Sequence, residues 1–573
     1  MQYKKLVEVY ESLSRTTKRL EKIDILSNFL RHLDNSDKDV LYLLVGRIYA
    51  EYDERKIGIS EQIAIKALSK VTGLDSKSVI HEWKKLGDLG KVAEQIIKEK
   101  KQKTLNSLSC LTTEKVLNNL RKLPGLEGKG TVEKKISLIT ELLASASSIE
   151  AKYLVRTLIG DLIIGIQDST IRDSLNKAFY DNSKESSKRI EEAIDKANDL
   201  ALIFEIAKKG KIKSLEEVSI QVGKPLKVML AQKVKNIEEG FKAIGKPCAI
   251  EYKYDGFRML IHKKDNKIAL FTRRLENVTK QFPEVVFYIE KYVKGSSFIL
   301  DTEAVGFDSK TKHYTPFQNI SQRIKRKYDI EKMQKNLPIE INVFDIIYYN
   351  GKSLLNEPFE KRSKLIKSIV KKHPYKITTS KQIITSSKEK AEEFNKKALH
   401  DNQEGIMMKN LHAIYQPGKR VGHMLKIKPE QRDLDLTIIG AEYGKGKRVG
   451  WLSSFILACK GNKQNEYLEI GKVSTGLKEK SAEEVGGVSF HVLTEMIKPL
   501  IIKEQGRQVE IKPKIVLSVT YQEIQHSPNY QSGFALRFPR FTALRPDKSI
   551  KNIATIEEVK KDYELQKRNY QYG

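Results

Sequence analysis

The chain has 573 residues, too many for one hydrophobic core, so about three domains are expected. Lys plus Arg number 104 against 73 Asp plus Glu, and the net charge of +31 points to a polyanionic partner, nucleic acid before membrane, unless the source proteome is simply lysine-rich. Three cysteines without a Cys-x-x-Cys pair argue against a disulfide framework or structural zinc site, and the lack of an apolar run near ~20 residues or a signal-peptide h-region suggests a soluble intracellular protein with no membrane contact.

Residues 1–215 read as helical almost throughout. Leu6, Val9, Tyr10 and Leu13 recur at helical spacing, as do Ile23, Leu26 and Leu30. The break Gly125-Leu-Glu-Gly128-Lys-Gly130-Thr131 is either a plain helix–helix turn or a place where backbone N–H groups approach a phosphate backbone. No fixed-period repeat stands out, which excludes a solenoid. From about 216 to 430 the texture is mixed α/β. Strand-like runs lie at 297–307, 339–349, 405–409 and 423–428, with helical stretches at 359–370 and 388–399. From 431 to 573 short β-like segments (434–443, 451–460, 467–473, 508–521) surround a helical patch at 489–502. That pattern fits a small OB-type Greek-key barrel, followed by a charged helix at 556–568. The expected domains are therefore 1–215, 216–430 and 431–573.

The organising stretch is Glu251-Tyr-Lys253-Tyr-Asp-Gly-Phe-Arg258. It alternates like a half-buried strand, with Ile250, Tyr252 and Tyr254 on one face and Glu251, Lys253 and Asp255 on the other. A turn-prone run at 263–267 and a strand at 268–272 follow, ending in Arg273 and Arg274. The whole reads as a hairpin that presents one lysine between an acid and several arginines. Surrounding positive charge favours the free amine, which is the nucleophilic form of lysine.

Glu303 and Glu404 flank apolar strands, where they could hold a divalent metal against a nucleotide phosphate or simply be solvated strand ends. Lys426 and Lys428 share a strand face, so an anionic ligand would relieve their repulsion; a solvated edge strand is the alternative. Phe344, mid-strand, could stack on a base or pack in the core. Near the end, Arg537, Arg540, Arg545 and Lys548 crowd a proline-punctuated segment that looks like a phosphate clamp.

In this order, these motifs closely resemble the ATP-dependent DNA ligase family, in particular its archaeal and eukaryotic replicative type, over nearly the whole chain. The resemblance implies an all-α DNA-binding domain, an α/β (α+β) nucleotidyltransferase domain and an OB-fold β-barrel. It also implies that Lys253 attacks the α-phosphate of ATP, that the AMP passes to a 5′-phosphate, and that a 3′-hydroxyl then seals the nick. By the same likeness Glu251 contacts adenine and Phe344 stacks on it. Glu303 meets the ribose or a metal, and Glu404 is the second metal-site acid. Arg258, Arg273, Arg420, Lys426 and Lys428 surround the sugar and phosphates. Arg537, Arg540, Arg545 and Lys548 orient the pyrophosphate, on a domain that must later rotate away. The implied cofactors are ATP and Mg2+, with Mn2+ as an alternative.

The implied setting is replication, recombination and repair, by a cytoplasmic, nucleoid-associated monomer acting on nicked double-stranded DNA. Met424 departs from the family's usual aromatic. Residues 102–108, where relatives carry a sliding-clamp motif, lack both aromatics that anchor such a contact. The rival readings are an RNA ligase or capping-type nucleotidyltransferase, which shares Lys-x-Asp-Gly, and a non-enzymatic basic DNA-binding protein. The helical first third disfavours the former and the spaced acids Glu303 and Glu404 the latter.

Overall fold

The computed structural model describes residues 1–99, 110–128, 130–326, 328–428, 432–444, 448, 450–479 and 488–571. The chain divides into two compact units, residues 1–76 with 93–428 and residues 77–92 with 429–573.

Helices fill the first unit as far as Glu216. In Tyr3–Arg15 the side chains of Tyr3, Leu6, Val7, Tyr10 and Leu13 are buried, one apolar stripe along the helix. Val9, expected on that stripe, is only half-buried. Ile23, Leu26 and Leu30 line the inner face of Arg19–His32. Ser147 and Glu150 form a capping box that starts Ser148–Leu158. The glycine break is a helix–helix turn in which Gly130, at φ +77°, caps Thr131–Ser145. Residues 102–108 and Lys129 lie outside the described residues.

The rest of the first unit carries β1 (Leu230–Lys233), β2 (Cys248–Lys253), β3 (Phe257–Lys264), β4 (Lys267–Thr272), β5 (Ser297–Phe307) and β6 (Tyr314–Thr315). After these come β7 (Ile339–Tyr349), β8 (Lys352–Ser353), β9 (Ile377–Thr379), β10 (Gln382–Thr385), β11 (Gly405–Lys409) and β12 (Arg420–Ile427). They form two sheets. One runs β1-β12-β11-β2-β10; the other runs β4-β3-β5-β7-β8, with β6 on β5 and β9 on β7.

Alternation along each strand assigns the layers. Cys248, Ile250, Tyr252, Ile406, Met408, Leu425 and Ile427 pack against the helices Ile237–Ile244 and Lys388–His400. Phe257, Met259, Ile261, Phe298, Leu300, Ile341 and Val343 do the same against Pro283–Tyr292 and Phe359–Ile369. Leu260, Ile299 and Ile347 meet Met407 and Met424 between the sheets. The order is therefore helix, sheet, sheet, helix. The residues left on the inner faces, Glu251, Lys253, Arg258, Glu303, Phe344, Lys409 and Lys426, point toward the opposite sheet.

Two expectations need correction. The hairpin turns where 263–267 placed it, but its first arm is β3 alone: β2, which carries Lys253, belongs to the other sheet, and the chain crosses between them at Tyr254–Gly256. The hairpin is β3–β4, turning at Asp265 with φ +52°. Nor is β2 half-exposed, for Glu251 is 3% accessible because its polar face is covered by the second sheet. The chain crosses back at Ser380–Lys381, between β9 and β10. The two crossings lie side by side: the Lys381 N–H donates to Tyr254 Oη at 3.0 Å, and the Lys381 carbonyl accepts the Tyr252 N–H at 3.3 Å.

The second unit holds β13 (Arg432–Tyr443), β14 (Leu452–Lys460), β15 (Tyr467–Val473), β16 (Ile501–Gln505) and β17 (Gln508–Ile511). It continues with β18 (Val516–Tyr521), β19 (Glu523–His526), β20 (Phe534–Arg537) and β21 (Arg540–Leu544). β13 pairs with β14 along one edge and with β18 and then β17 along the other. This antiparallel β architecture closes over Leu436, Ile438, Phe455, Leu457, Leu517 and Val519. Phe490 and Leu493 of the helix Phe490–Ile497 and Val559 of Ile556–Gln571 complete that core. The strand expected over 508–521 is two strands, because Pro513 cannot donate to a ladder. The helix expected over 489–502 ends at Ile497; Lys498–Leu500, with Pro499, turns the chain into β16.

Candidate active site

Lys253 is the last residue of β2, and register with β11 puts Gly405 opposite it. The Lys253 carbonyl accepts the Glu404 N–H at 2.8 Å. Glu404 pairs with the Lys253 ammonium and, at 2.6 Å, with Lys428 Nζ. Two glycines permit this approach. A Cβ on Gly256 would overlap the Ala304 carbonyl oxygen, and one on Gly405, at φ +130°, would overlap that of Ile427. Burial pushes the Glu404 carboxyl up, but the ammonium groups of Lys253 and Lys428 outweigh it and hold it down at about 2. Lys426 lies on the same face opposite Met407. Burial, followed by the charges of Lys253, Lys428 and Arg420, lowers its pKa below the ordinary lysine range.

From the other sheet, Arg258 on β3 stands opposite Glu303 on β5. Its guanidinium is fixed on three sides. Nε and Nη2 reach Asp301 at 2.7 and 2.5 Å, Nη1 donates to the Met229 carbonyl at 2.7 Å, and Nη2 approaches Tyr415 Oη at 3.3 Å. Tyr415 Oη in turn donates to Asp301 at 2.7 Å. Burial pushes the Glu303 carboxyl up to about 8. Lys253 and Arg258 oppose that shift, while Glu404 and Asp301 reinforce it.

Glu251 has both oxygens engaged. Oε2 pairs with Lys409 Nζ at 2.7 Å and Oε1 accepts from Gln382 Nε2 at 2.8 Å. Lys409 also donates to the Phe344 carbonyl at 3.2 Å and lies 4.8 Å from the Phe344 ring centroid, with Arg258 at 5.2 Å from the same ring. Phe344 is half-buried, its ring bordered by these two cations.

Eight anticipated residues thus converge: Glu251, Lys253, Arg258, Glu303, Phe344, Glu404, Lys426 and Lys428. Arg273, just past β4, and Arg420, at the start of β12, are exposed. Arg537, Arg540, Arg545 and Lys548 lie on the second unit, where carboxylates hold three of them. Arg537 pairs with Glu523 at 2.7 Å, Arg545 with Asp547 at 2.7 Å and Asp435 at 3.2 Å, and Lys548 with Asp435 at 2.5 Å. Sequence reasoning did not single out Lys409, Gln382, Asp301 or Tyr415. The available signal for Lys409 was a charge closing an otherwise apolar strand, Gly405–Lys409. Among the described residues no group of three or more His, Cys, Asp or Glu gathers as a metal site. The acids facing the Lys253 amine are Glu404, in contact, and Glu303, close enough for its charge to be felt.

A lysine amine set between two facing sheets, with carboxylates and further cations around it, brings together the residue types that covalent transfer through lysine calls for. Residues 228–428 match the family described as ATP dependent DNA ligase domain, residues 2–176 the DNA ligase N terminus, and residues 448–548 the ATP dependent DNA ligase C terminal region. The chain is similar to a DNA ligase of Nanoarchaeum equitans, 43% identical over 567 residues and covering 99% of each chain. It is also similar to one of Thermococcus fumicolans, 38% identical over 571 residues at the same coverage. The solved structure called Pmar-Lig_Pre shares the fold, with a TM-score of 0.56 over 94% of this chain and 99% of that one at 18% identity. The chain belongs to the ATP-dependent DNA ligase family.

Proposed function

We propose that this enzyme seals nicks in duplex DNA, with Lys253 as the nucleophile. The observation that carries the residue assignment is the setting of the Lys253 amine: Glu404, shared with Lys428, is in contact with it, Lys426 and Glu303 are near enough for their charges to act on it, and Arg258 stands opposite Glu303. Attack needs the neutral amine, so one proton passes from Nζ to solvent before its lone pair bonds the α-phosphorus of ATP, and a second leaves as the P–N bond forms. The bond from that phosphorus to the pyrophosphate oxygen breaks, and the enzyme carries AMP on Lys253. An oxygen of the 5′-phosphate at the nick then attacks the same phosphorus and frees the lysine. Finally the 3′-hydroxyl attacks the activated 5′-phosphate, and AMP leaves.

Glu251 is assigned the adenine edge and Phe344 the stacking face. Arg258, Arg273, Arg420, Lys426 and Lys428 are assigned the sugar and phosphates, and Arg537, Arg540, Arg545 and Lys548 the pyrophosphate. Preset cations lower the cost of charge that builds up in such transfers. Glu303 and Glu404 would hold Mg2+, or Mn2+, together with phosphate oxygens. Burial raises the proton affinity of Glu303 despite the charges of Lys253 and Arg258, and a hard dication would be a counter-ion suited to such a buried carboxylate. When bound, the ion would supply Lewis-acid stabilisation of the phosphate oxygens.

Domain boundaries near 215 and 430, a monomeric state, an intracellular, nucleoid-associated setting and a sliding-clamp contact at 102–108 belong to the same proposal. Intact mass after incubation with ATP and Mg2+ tests it. Wild type gains one AMP and loses it to nicked duplex with sealing, and Lys253→Ala gains none. An adduct discharged only by RNA favours an RNA ligase or capping-type enzyme. No adduct on folded, AMP-free protein leaves a basic DNA-binding protein.

A further inference from the structure

Behind Glu251 lies a layer of donors that the reaction steps do not use. Lys409 is buried, 4% accessible, at the end of β11. It reaches across the sheet to Glu251 Oε2 and lies 4.6 Å from the Phe359 ring as well as 4.8 Å from that of Phe344. Gln382 on β10, directly opposite Glu251 in register, donates Nε2 to Oε1. The amide cannot be turned round without loss, because Lys367 Nζ donates to Gln382 Oε1 at 2.7 Å and so keeps the amine end toward the carboxylate.

We propose that Lys409, assisted by Gln382, makes Glu251 an acceptor-only reader of the purine edge and thereby selects adenine over guanine. The inference rests on the reading of Glu251 as the base contact. A carboxylate whose oxygens each already accept a donor from behind has only lone pairs left for the ligand. Adenine presents an amino donor at its 6-position and guanine a carbonyl acceptor, so one purine completes the set and the other places acceptor against acceptor. Without the Lys409 ammonium, Oε2 loses the donor behind it, and the carboxylate is no longer held with its free lone pairs toward the base. Removing the Lys409 ammonium therefore weakens the reading of adenine more than the handling of guanine, which gains nothing from an acceptor at that place. Lys409 is a positioning residue in this scheme and touches no substrate.

The test compares the rates at which AMP-free enzyme labels itself with ATP and with GTP, read by intact mass. Lys409→Met should slow labelling by ATP much more than labelling by GTP. The ATP:GTP ratio should narrow about tenfold or more, the value of one buried hydrogen bond. Lys409→Arg, which keeps a donor and a charge, should restore most of the ratio. Equal losses for both nucleotides would make Lys409 merely structural and overturn the proposal. Should Lys409→Met fail to fold, Gln382→Ala decides, a narrowed ratio supporting the proposal and an unchanged one rejecting it. Glu251→Gln separates the two levels. If it leaves the ratio unchanged, the carboxylate does not read the base at all. If it narrows the ratio while the Lys409 and Gln382 variants do not, only the role of the donors behind it falls.

Discussion

Lys253 is held where it is by two residues that have no side chain. Gly256 lets β3 leave under Ala304, and Gly405 lets Glu404 arrive beside the nucleophile. Gly405→Ala should cost about 1–3 kcal/mol for the disfavoured backbone alone, with the Ile427 overlap added, and it should slow self-adenylation by displacing Glu404. Denaturant midpoints and the adenylation rate check both. A second residue-scale prediction concerns β7, where Arg362 Nε meets Asp345 at 2.7 Å with both side chains buried. Arg362→Met leaves an unpaired buried carboxylate, so a loss of about 3–5 kcal/mol is expected in equilibrium unfolding. The chemistry-bearing residues on strands were legible in the sequence because alternation marks a face. Lys253, Glu303 and Lys426 could be read that way. Lys409 could not: its importance depends on β11 pairing with β2, a contact between residues more than 150 positions apart.

At the scale of elements, carboxylates of the helices Asp168–Phe179 and Lys184–Ala197 are tied by lysines to the segments that lead into β1 and β12. Lys227 Nζ reaches Glu51 at 2.7 Å and Asp168 at 3.0 Å, and Lys419 Nζ reaches Glu191 at 3.0 Å. Asp195 sits among them. Burial pushes its carboxyl up to about 7; Lys419 and Lys227 oppose this, and Glu191 and Asp168 add to it. The folded chain thus holds that proton more tightly than the unfolded chain, whose aspartates titrate near about 4. The stability it contributes is complete below about pH 4 and is lost as pH rises through about 7. Asp195→Asn should flatten that part of the Tm profile, so the variant's Tm falls less between pH 5.5 and 8 than the wild type's. Equal profiles would remove Asp195 from the account. The elements themselves were largely legible, with β5 and β7 lying where apolar runs predicted them. What misled was continuity, as at 508–521, where a proline divides one apolar run into two strands. The hairpin turn at 263–267 was legible too, but not that Lys253 lies on a strand of the other sheet, since short-range pattern says nothing about which sheet a strand joins.

For the whole molecule, the +31 charge bears on partner binding more than on folding. DNA affinity measured by anisotropy between 50 and 200 mM salt should fall along a straight log–log line whose slope is about −0.9 per phosphate neutralised. A flat response would remove broad backbone contact from the picture. The paired crossings at Tyr254–Gly256 and Ser380–Lys381 have a mechanical consequence. Both covalent straps between the two sheets lie together, beside the nucleophile, so the layers are joined along one spine, as the boards of a book are. Away from that spine the layers are held by apolar contact, Leu260, Ile299 and Ile347 against Met407 and Met424. The reacting amine thus sits beside the edge where the layers are joined covalently.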